Sequence, residues 1–325
     1  MSENEGPKDI KDEVPQNGSG IGLALGGGMA RGFAHIGVLN VLRRHNIEPS
    51  IVAGTSIGAV VGGCYLAHKL NELTDWALSL NRLTILSYLD FRIRSAGMIG
   101  GNRLTKMLEE NFADMDIADL PHPFITIAAD LVTGHEVWIR EGALIDAMRA
   151  SFALPGVFPP VERNHRLLVD GALINPVPVS ACQAMGARMT IGVDLHADIM
   201  GKAVKPGQKY PTVAGFDVFD DDKVASKAKE KMNTSTARRL FRREDKSSPS
   251  LFGVMVSALG IMQDRLTRSR LAGDPPDIHI KPKIGHIGLL EFERAEELIQ
   301  LGEDAALASI EDIRDAARVL LPPQG

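Results

Sequence analysis

Short apolar runs alternate with amphipathic stretches over residues 21–193, and this alternation constrains the fold more than any other feature of the sequence. Runs of this length fit buried strands, whereas the stretches between them have the length and spacing of helices with one apolar face. Strands joined by helical crossovers pair in parallel. We therefore predict an α/β fold with one mainly parallel central sheet flanked by helices. The predicted strands are residues 21–25, 51–53, 124–129, 167–169 and 189–193.

Helical spacing appears between these runs and again near the C-terminus. Thr133 and Gly134 are turn residues, so the stretch that follows them, residues 136–140, predicts an added hairpin strand. Apolar residues recur at three- and four-residue steps from Ala295 to Leu320, which predicts one last helix packed on the core. The other predicted helices are residues 33–44, 57–68, 102–112 and 177–185.

Composition narrows the class of protein. A formal net charge of −5 provides no overall attraction for a phosphate backbone, so we expect no nucleic-acid partner. The only cysteines, Cys64 and Cys182, are far apart in sequence and favour a reducing compartment over a disulfide framework. Residues 1–19 lack the apolar core of a secretory signal. We expect those residues to be a disordered tail and the protein to be cytoplasmic, without a membrane anchor.

The texture of the sequence changes between residues 200 and 250. Acidic residues around Asp220 precede a run with nine lysines or arginines between Lys223 and Lys246, which predicts a flexible charged insertion or lid. Residues 251–262 are apolar on all sides, so they form either a buried helix or a surface element that meets lipid. Peripheral membrane contact through these two stretches is one hypothesis, and a solvated loop followed by a core helix is the other.

The most specific motif is a G-x-S-x-G sequence, from Gly54 to Gly58, that follows a predicted strand and opens a predicted helix. A serine on such a strand-to-helix turn is held in a strained backbone conformation, and flanking glycines leave room for the neighbouring chain and the substrate. Ser56 is therefore our candidate nucleophile, with Gly54 and Gly58 as supporting residues. The alternative is that Ser56 is only a helix N-cap.

A second glycine-rich loop, residues 26–32, also lies between a strand and a helix. It fits neither a dinucleotide fingerprint nor a phosphate-binding P-loop, because Arg31 and Phe33 stand where those motifs need other residues. The remaining interpretation is an oxyanion hole over Gly27, Gly28 and Met29, with the N–H groups of the last two as donors. Such a site needs no cofactor.

Arg31 and Gly32 complete this loop. Arg31 is interpreted as a fixed positive charge that holds the loop or attracts an anionic head group, and an ordinary salt bridge is the alternative. The sequence contains neither an H-E-x-x-H motif nor a cysteine cluster, so we expect no catalytic metal.

An acid partner for the serine is suggested by Asp170, which is followed by Gly171 and Ala172 at the end of a predicted strand. An aspartate is a weak base at neutral pH unless burial raises its pKa, so the site should be partly desolvated. A plain Asp-Gly turn is the alternative. A catalytic histidine is the other possible base. His196, His279 and His286 lie downstream, but none has a distinguishing local motif, and helix packing explains His35 as well as a role in the site does.

These motifs together resemble the patatin-like phospholipases, particularly bacterial members related to the catalytic domain of neuropathy target esterase. The resemblance rests on residues 22–39, the G-x-S-x-G motif, the D-G-A motif, and the blocks at residues 151–156 and 175–178. It covers roughly residues 20–195, with a weaker echo over 274–301. One departure is visible, because the third glycine of the family's loop falls at Met29 when the loop is aligned on Arg31.

The resemblance implies a three-layer sandwich over residues 20–325 and a two-residue catalytic dyad of Ser56 and Asp170. It implies hydrolysis of lipid esters, of phospholipase A or lysophospholipase type, through an acyl-enzyme. Two alternatives remain open: an esterase or thioesterase for soluble acyl substrates, and a regulatory lipid-binding protein with little catalysis.

Overall fold

The structure is a computed structural model that describes residues 20–80, 108–110, 112, 115–197 and 251–321. Its described residues form one eight-stranded mixed sheet with helices packed against it. The strands are β1 (Ile21–Leu25), β2 (Ile51–Thr55), β3 (Phe124–Asp130), β4 (Glu136–Ile139), β5 (Val161–Arg163), β6 (Arg166–Asp170), β7 (Met189–Val193) and β8 (Ile278–Ile280). The helices are α1 (Ala34–Arg44), α2 (Ile57–Leu66), α3 (Leu70–Ser79), α4 (Leu144–Phe152), α5 (Val179–Ala184), α6 (Leu251–Gly273), α7 (Ala295–Ala308) and α8 (Ile310–Leu320).

The pairing of the strands confirms a mainly parallel sheet. Strand β1 pairs in parallel with β2 on one side and with β7 on the other, and the parallel run continues to β3 and to β8. Strands β4 and β6 pair antiparallel with β3, and β5 pairs antiparallel with β6. The hairpin strand expected after Gly134 is therefore present. The short strands β5 and β8 were not predicted, because three residues carry too little pattern.

The register of β3 brings the ends of two other strands together. Ile127 pairs with Thr55 at the end of β2, and the next residue, Ala128, pairs with Asp170 at the end of β6. Both β3 residues also pair with β4. Because a strand residue has one neighbour on each side, β2 and β6 lie on the same side of β3 and point their ends at each other.

Side chains alternate between the two faces of the sheet and build two apolar cores. Leu23, Val52 and Phe124 contribute to the larger core, which also contains residues of α1, α2 and α7. Ala24 and Ile125 belong to the core on the opposite face, beneath α5. The central strands are buried throughout, as parallel strands covered on both faces must be. The result is the helix–sheet–helix layering that the sequence predicts.

One prediction needs correction, and three others lie wholly or mostly outside the described residues. The single C-terminal helix is wrong, because Ser309 separates α7 from α8: its N–H bonds the carbonyl of Ala306 three residues back, and its hydroxyl bonds that of Ala305. The tail (1–19), the charged insertion (200–250) and most of the predicted helix at 102–112 lie outside the described residues. Within the described residues, no helix is long and apolar enough to cross a membrane.

Candidate active site

Ser56 occupies the tight turn between β2 and α2. Its φ of 56° and ψ of −125° lie far from the regions that a residue with a Cβ normally adopts. This conformation confirms the strained turn expected from the G-x-S-x-G motif. Its side chain is buried, with only 6% of the residue exposed. Ser56 also directly precedes the first residue of α2, so it lies at the positive end of that helix.

The glycines around this turn are required by close backbone contacts. A Cβ added at Gly58 would lie 2.1 Å from the carbonyl oxygen of Leu25, and one at Gly54 would lie 2.6 Å from the backbone nitrogen of Ala59. Both distances are far inside van der Waals contact. The two glycines therefore let α2 pack directly against β1 and let the Ser56 turn close tightly.

A second serine holds the turn from behind. The N–H of Ser56 donates to the hydroxyl of Ser151 at 2.9 Å, and that hydroxyl donates to the carbonyl of Ile127 at 2.6 Å. Ser151 lies in α4 and is fully buried. In the sequence, residues 151–156 contribute only to the family resemblance, and this hydrogen bond could not be identified there, because nothing local marks one buried serine as a partner for a residue 95 positions away.

Asp170 meets Ser56 at the end of β6. The Ser56 hydroxyl donates to Oδ2 of Asp170 at 2.7 Å, and the N–H of Ala172 donates to Oδ1 at 2.8 Å. Gly171 fits beside them because a Cβ there would lie 2.1 Å from the carbonyl oxygen of Ile127. Both carboxylate oxygens are thereby fixed, and one of them is in position to take the serine proton.

Burial sets the protonation of this carboxyl. Removal from water raises the pKa of Asp170 to about 6, and the hydrogen bonds from Ser56 and Ala172 offset part of that rise. The direction follows from the cost of keeping a charge in a low-dielectric environment. A carboxylate with this pKa is a stronger base than a solvated aspartate, yet it is largely ionised at neutral pH.

The glycine loop lies directly beside the serine. A Cβ at Gly27 would lie 3.4 Å from the Cβ of Ser56, so the loop and the turn are in contact. The N–H of Gly27 donates to the carbonyl of Pro176 at 2.9 Å and is therefore engaged. Among the residues described, the N–H groups of Gly28 and Met29 donate no hydrogen bond. The two N–H groups that the sequence predicts as oxyanion donors therefore remain available to a ligand, and Gly27 lies beside them with its own N–H engaged.

Met29 adopts the conformation that glycine would have supplied. Its φ is 52°, in the left-handed region, where an L side chain is uncommon. The departure from the family's glycine at this position is therefore accommodated by local backbone strain. The side chain of Met29 packs against a buried apolar cluster formed by Leu154, Val157, Val256 and Leu289.

The glycine loop is anchored by the buried side chains of Arg31 and His35. Arg31 donates from Nε and Nη2 to the carbonyl of Ile287, at 2.8 and 2.6 Å, so it holds the loop against a distant segment. Gly32 lies next to Ile57, where a Cβ would be 2.2 Å from the Ile57 side chain. His35 contacts the carbonyl of Gly26 at 2.7 Å through Nε2, and burial lowers its pKa to about 4.

Comparison with known proteins agrees with this geometry. Residues 23–182 match the family model described as "Patatin-like phospholipase". An uncharacterized NTE family protein of Mycobacterium tuberculosis is 34% identical over 90% of this chain and 91% of its own length. The chain belongs to the patatin-like phospholipase family. It is therefore a patatin-like lipid hydrolase.

Two further matches to this patatin-like chain are less similar. Mouse patatin-like phospholipase domain-containing protein 6 is 32% identical over 185 residues, which cover 55% of this chain and 14% of the mouse protein. Among solved structures, VipD from Legionella pneumophila aligns with 90% of this chain and 66% of its own, at 10% identity and a TM-score of 0.45.

The histidines of this patatin-like chain do not join the serine and aspartate. Within the described residues, no imidazole is hydrogen bonded to Ser56 or Asp170. Instead, His279 contacts Asp194 at 3.3 Å and His286 contacts Glu297 at 2.8 Å. The described residues also contain no group of three or more histidine, cysteine, aspartate or glutamate side chains placed to hold a metal ion.

Proposed function

We propose that this protein cleaves carboxylic esters of lipids by transferring the acyl group to Ser56. The observation that carries the proposal is the 2.7 Å hydrogen bond from the Ser56 hydroxyl to the buried carboxylate of Asp170, on a turn with strained backbone geometry. Membership of the patatin-like phospholipase family supports lipid acyl esters as the substrate class.

In the first half of the reaction, Ser56 Oγ attacks the ester carbonyl carbon while Asp170 accepts the hydroxyl proton. The carbonyl π electrons move onto oxygen, and the resulting oxyanion is stabilised by the N–H groups of Gly28 and Met29 and by the N-terminus of α2. Collapse of this intermediate breaks the ester C–O bond. The leaving alkoxide takes the proton from Asp170, and the acyl group remains on Ser56.

Water completes the cycle by the same steps. Asp170, again ionised, removes a proton from a water molecule that attacks the acyl-enzyme, and the proton then returns to Ser56 Oγ as the fatty acid leaves. A single carboxylate performs both transfers because its pKa of about 6 lies near neutral pH. No histidine is required in this scheme.

The apolar surroundings of the loop favour a lipid over a small soluble ester. Met29 is one of the two proposed oxyanion donors, and its side chain packs in the same cluster as Leu154, Val256 and Leu289. An acyl chain bound beside the reacting carbonyl would meet these side chains. The test is a series of p-nitrophenyl esters: kcat/KM should rise with acyl length, whereas a maximum at acetate would favour the soluble-ester alternative.

Serine labelling and turnover test the chemistry. A fluorophosphonate should attach one phosphonyl group to each wild-type chain, as seen by intact mass. The Ser56→Ala variant should lose both labelling and ester turnover. His286→Ala is the matched control, because the exposed His286 side chain pairs with Glu297 and makes no other hydrogen bond within the described residues. An unlabelled wild-type chain, or equal labelling of Ser56→Ala, would favour a lipid-binding protein with little catalysis.

Helix α6 supports the peripheral membrane contact that the apolar stretch suggested. Its inner side contributes Val256 to the cluster beside Met29, whereas Val254, Ile261 and Met262 are 45%, 59% and 63% exposed. This apolar outer side would lie in a lipid interface. The sequence allowed either a core helix or a surface element that meets lipid; one side of α6 is buried and another exposes apolar side chains, which supports the proposed contact. The basic run at 223–246 lies outside the described residues.

Flotation with anionic liposomes tests this contact. Changing Val254, Ile261 and Met262 together to serine should release the protein from the vesicles while turnover of a soluble ester is retained. The control is Val319→Ser, which removes an 82% exposed valine from α8 instead. Equal flotation of the wild-type protein and the triple variant would remove the proposal.

A further inference from the structure

A short segment beside the site receives hydrogen bonds from both halves of the proposed machinery. We define it as the 174–176 segment, which follows the Asp170 turn. The Thr55 hydroxyl donates to the carbonyl of Asn175 at 2.9 Å, and the N–H of Gly27 donates to the carbonyl of Pro176 at 2.9 Å. Thr55 directly precedes the proposed nucleophile, and Gly27 directly precedes the proposed oxyanion donors.

The same segment is held from outside by an arginine of α6. Arg270 donates from Nε to the carbonyl of Ile174 at 3.0 Å and from Nη2 to Glu136 Oε2 at 2.6 Å. The planar guanidinium can serve a carbonyl and a carboxylate at once because its donors point in fixed directions. Arg270 thereby ties the backbone of the segment to the first residue of β4.

Glu136 closes the connection through its other carboxylate oxygen. Oε1 accepts a hydrogen bond from Nδ2 of Asn175 at 2.7 Å and one from Nε1 of Trp138 at 2.7 Å. The side chains of Arg270 and Glu136 are 33% and 18% exposed, so solvent screens this pair less than an exposed one. The segment is therefore fixed at its backbone by Arg270 and at the Asn175 side chain by Glu136.

We propose that Arg270 and Glu136 are positioning residues that set the distance between Ser56 and the oxyanion donors by fixing the 174–176 segment. This proposal rests on the function proposed above. Among the described residues, neither side chain is hydrogen bonded to Ser56 or Asp170. Both would act through the 174–176 segment, whose Asn175 and Pro176 carbonyls accept hydrogen bonds from Thr55 and Gly27. Because attack and oxyanion stabilisation must be satisfied together, a small shift of one element relative to the other slows the chemical step while leaving substrate binding largely intact.

Two single variants test the proposal. Glu136→Gln and Arg270→Gln should each lower kcat by about tenfold with KM changed by less than about twofold, because the lost interaction matters chiefly in the transition state. The fluorophosphonate should still reach one label per chain, but at a rate reduced in parallel with kcat. Turnover is expressed per labelled site, so a loss of folded protein does not count as a loss of rate.

The matched control is Arg268→Gln, two residues earlier on the same helix. Arg268 pairs with the buried Asp264 and makes no hydrogen bond to the 174–176 segment among the described residues. We expect this variant to lose stability comparably while its kcat per labelled site stays at the wild-type value. If Arg270 contributes only to stability, Arg270→Gln should behave like this control.

A conservative variant and a double variant test the proposal further. Arg270→Lys keeps the charge but not the two-directional donors, so its kcat should fall between those of the wild type and Arg270→Gln. The double variant with Glu136→Gln should be no slower than the slower single variant, because both changes release the same segment. Wild-type kcat in both single variants, or independent multiplicative losses, would overturn the proposal. Failure of the wild type to label or turn over would instead reject the proposed function.

Discussion

Two buried aspartates lie at the ends of strands of the sheet, and their pKa values move in opposite directions. Asp170 ends β6 and Asp194 follows β7, which runs parallel to β1 and β2 and so ends on the side of Ser56. Burial raises the pKa of Asp170 to about 6. Burial also acts on Asp194, but hydrogen bonds from the His279 ring and the His196 N–H outweigh it and lower the pKa of Asp194.

The difference lies in the partners. Asp170 accepts one bond from a neutral hydroxyl that must lose its proton during the proposed reaction, and one from a backbone N–H. Asp194 Oδ2 contacts an imidazole at 3.3 Å, and Oδ1 accepts a backbone N–H at 2.8 Å. A buried carboxylate is therefore a useful base only where its surroundings leave it without a compensating partner. Asp194 is instead held as an anion.

The largest expected contrast is in catalysis. Asp170→Asn should lower kcat/KM by about 10³- to 10⁴-fold, because the amide cannot accept the Ser56 proton. Asp194→Asn, the control with the same change of side chain, should lower it by less than about threefold, because Asp194 does not contact the reacting groups. Ester kinetics on both purified variants measures the contrast. Similar losses in the two variants would show that the catalytic base has been misassigned.

The pH dependence should follow Asp170 alone. The proposed base must be ionised, so kcat/KM should rise about tenfold per pH unit below a midpoint near 6 and level off above it. A substrate without a titratable group is required. The Asp194→Asn variant should keep the wild-type midpoint. A rate independent of pH between 5 and 8 in the wild type would break the assignment.

Stability should respond to Asp170 in the opposite sense to activity. Because its folded pKa is raised from 3.8 to about 6, the native state binds more protons than the unfolded state in that window, and stability falls as the pH rises through it. At pH 8 the ionised group costs up to about 3 kcal/mol. Asp170→Asn should therefore be more stable than the wild type at pH 8 and about equally stable near pH 4, as measured by urea unfolding.

Replacing Asp194 should change the pH dependence of stability in the opposite direction. A lowered folded pKa contributes stability that is present above the ordinary pKa of an aspartate and is lost as the pH falls through the folded value. Asp194→Asn should therefore be less stable than the wild type at neutral pH, and the two should converge in acid. If both asparagine variants were stabilised at pH 8, the opposed pKa directions would be wrong.

The smallest expected effect comes from removing the imidazole that distinguishes Asp194. His279→Ala should raise the pKa of Asp194 toward that of Asp170 and lower stability by about 1 kcal/mol, with kcat unchanged. Carboxylate carbon shifts in an NMR titration report the pKa directly. An unmoved Asp194 titration would show that its backbone N–H partner suffices to hold it ionised.

Much of the frame could be predicted because it is local. Strands β1 and β7 have the predicted bounds, and β2, β3 and β6 extend the predicted ones by one or two residues. The turn at Ser56 and the tight fit at Gly58 also follow from neighbouring residues, because a missing Cβ and a run of apolar side chains have local consequences.

The supporting contacts could not be predicted in this way. Ser151, His35 and Arg270 have no motif of their own, and Arg270 reaches Glu136 across 134 positions of sequence. The pattern of the glycine loop likewise does not indicate that the N–H of Gly27 donates a hydrogen bond to the carbonyl of Pro176. Such assignments depend on which carbonyls arrive nearby after folding.

The strands, the serine turn and the glycine loop could be predicted before folding was considered, because each depends on steric and apolar properties of adjacent residues. Folding was needed to bring Ser56 and Asp170 together, through consecutive residues of β3, and to give Asp170 the raised pKa that suits the proposed base while the pKa of Asp194 is lowered. Protonation depends on burial and on hydrogen-bond partners, and both arise only when distant segments pack together: the serine bonded to Asp170 lies 114 residues away in sequence.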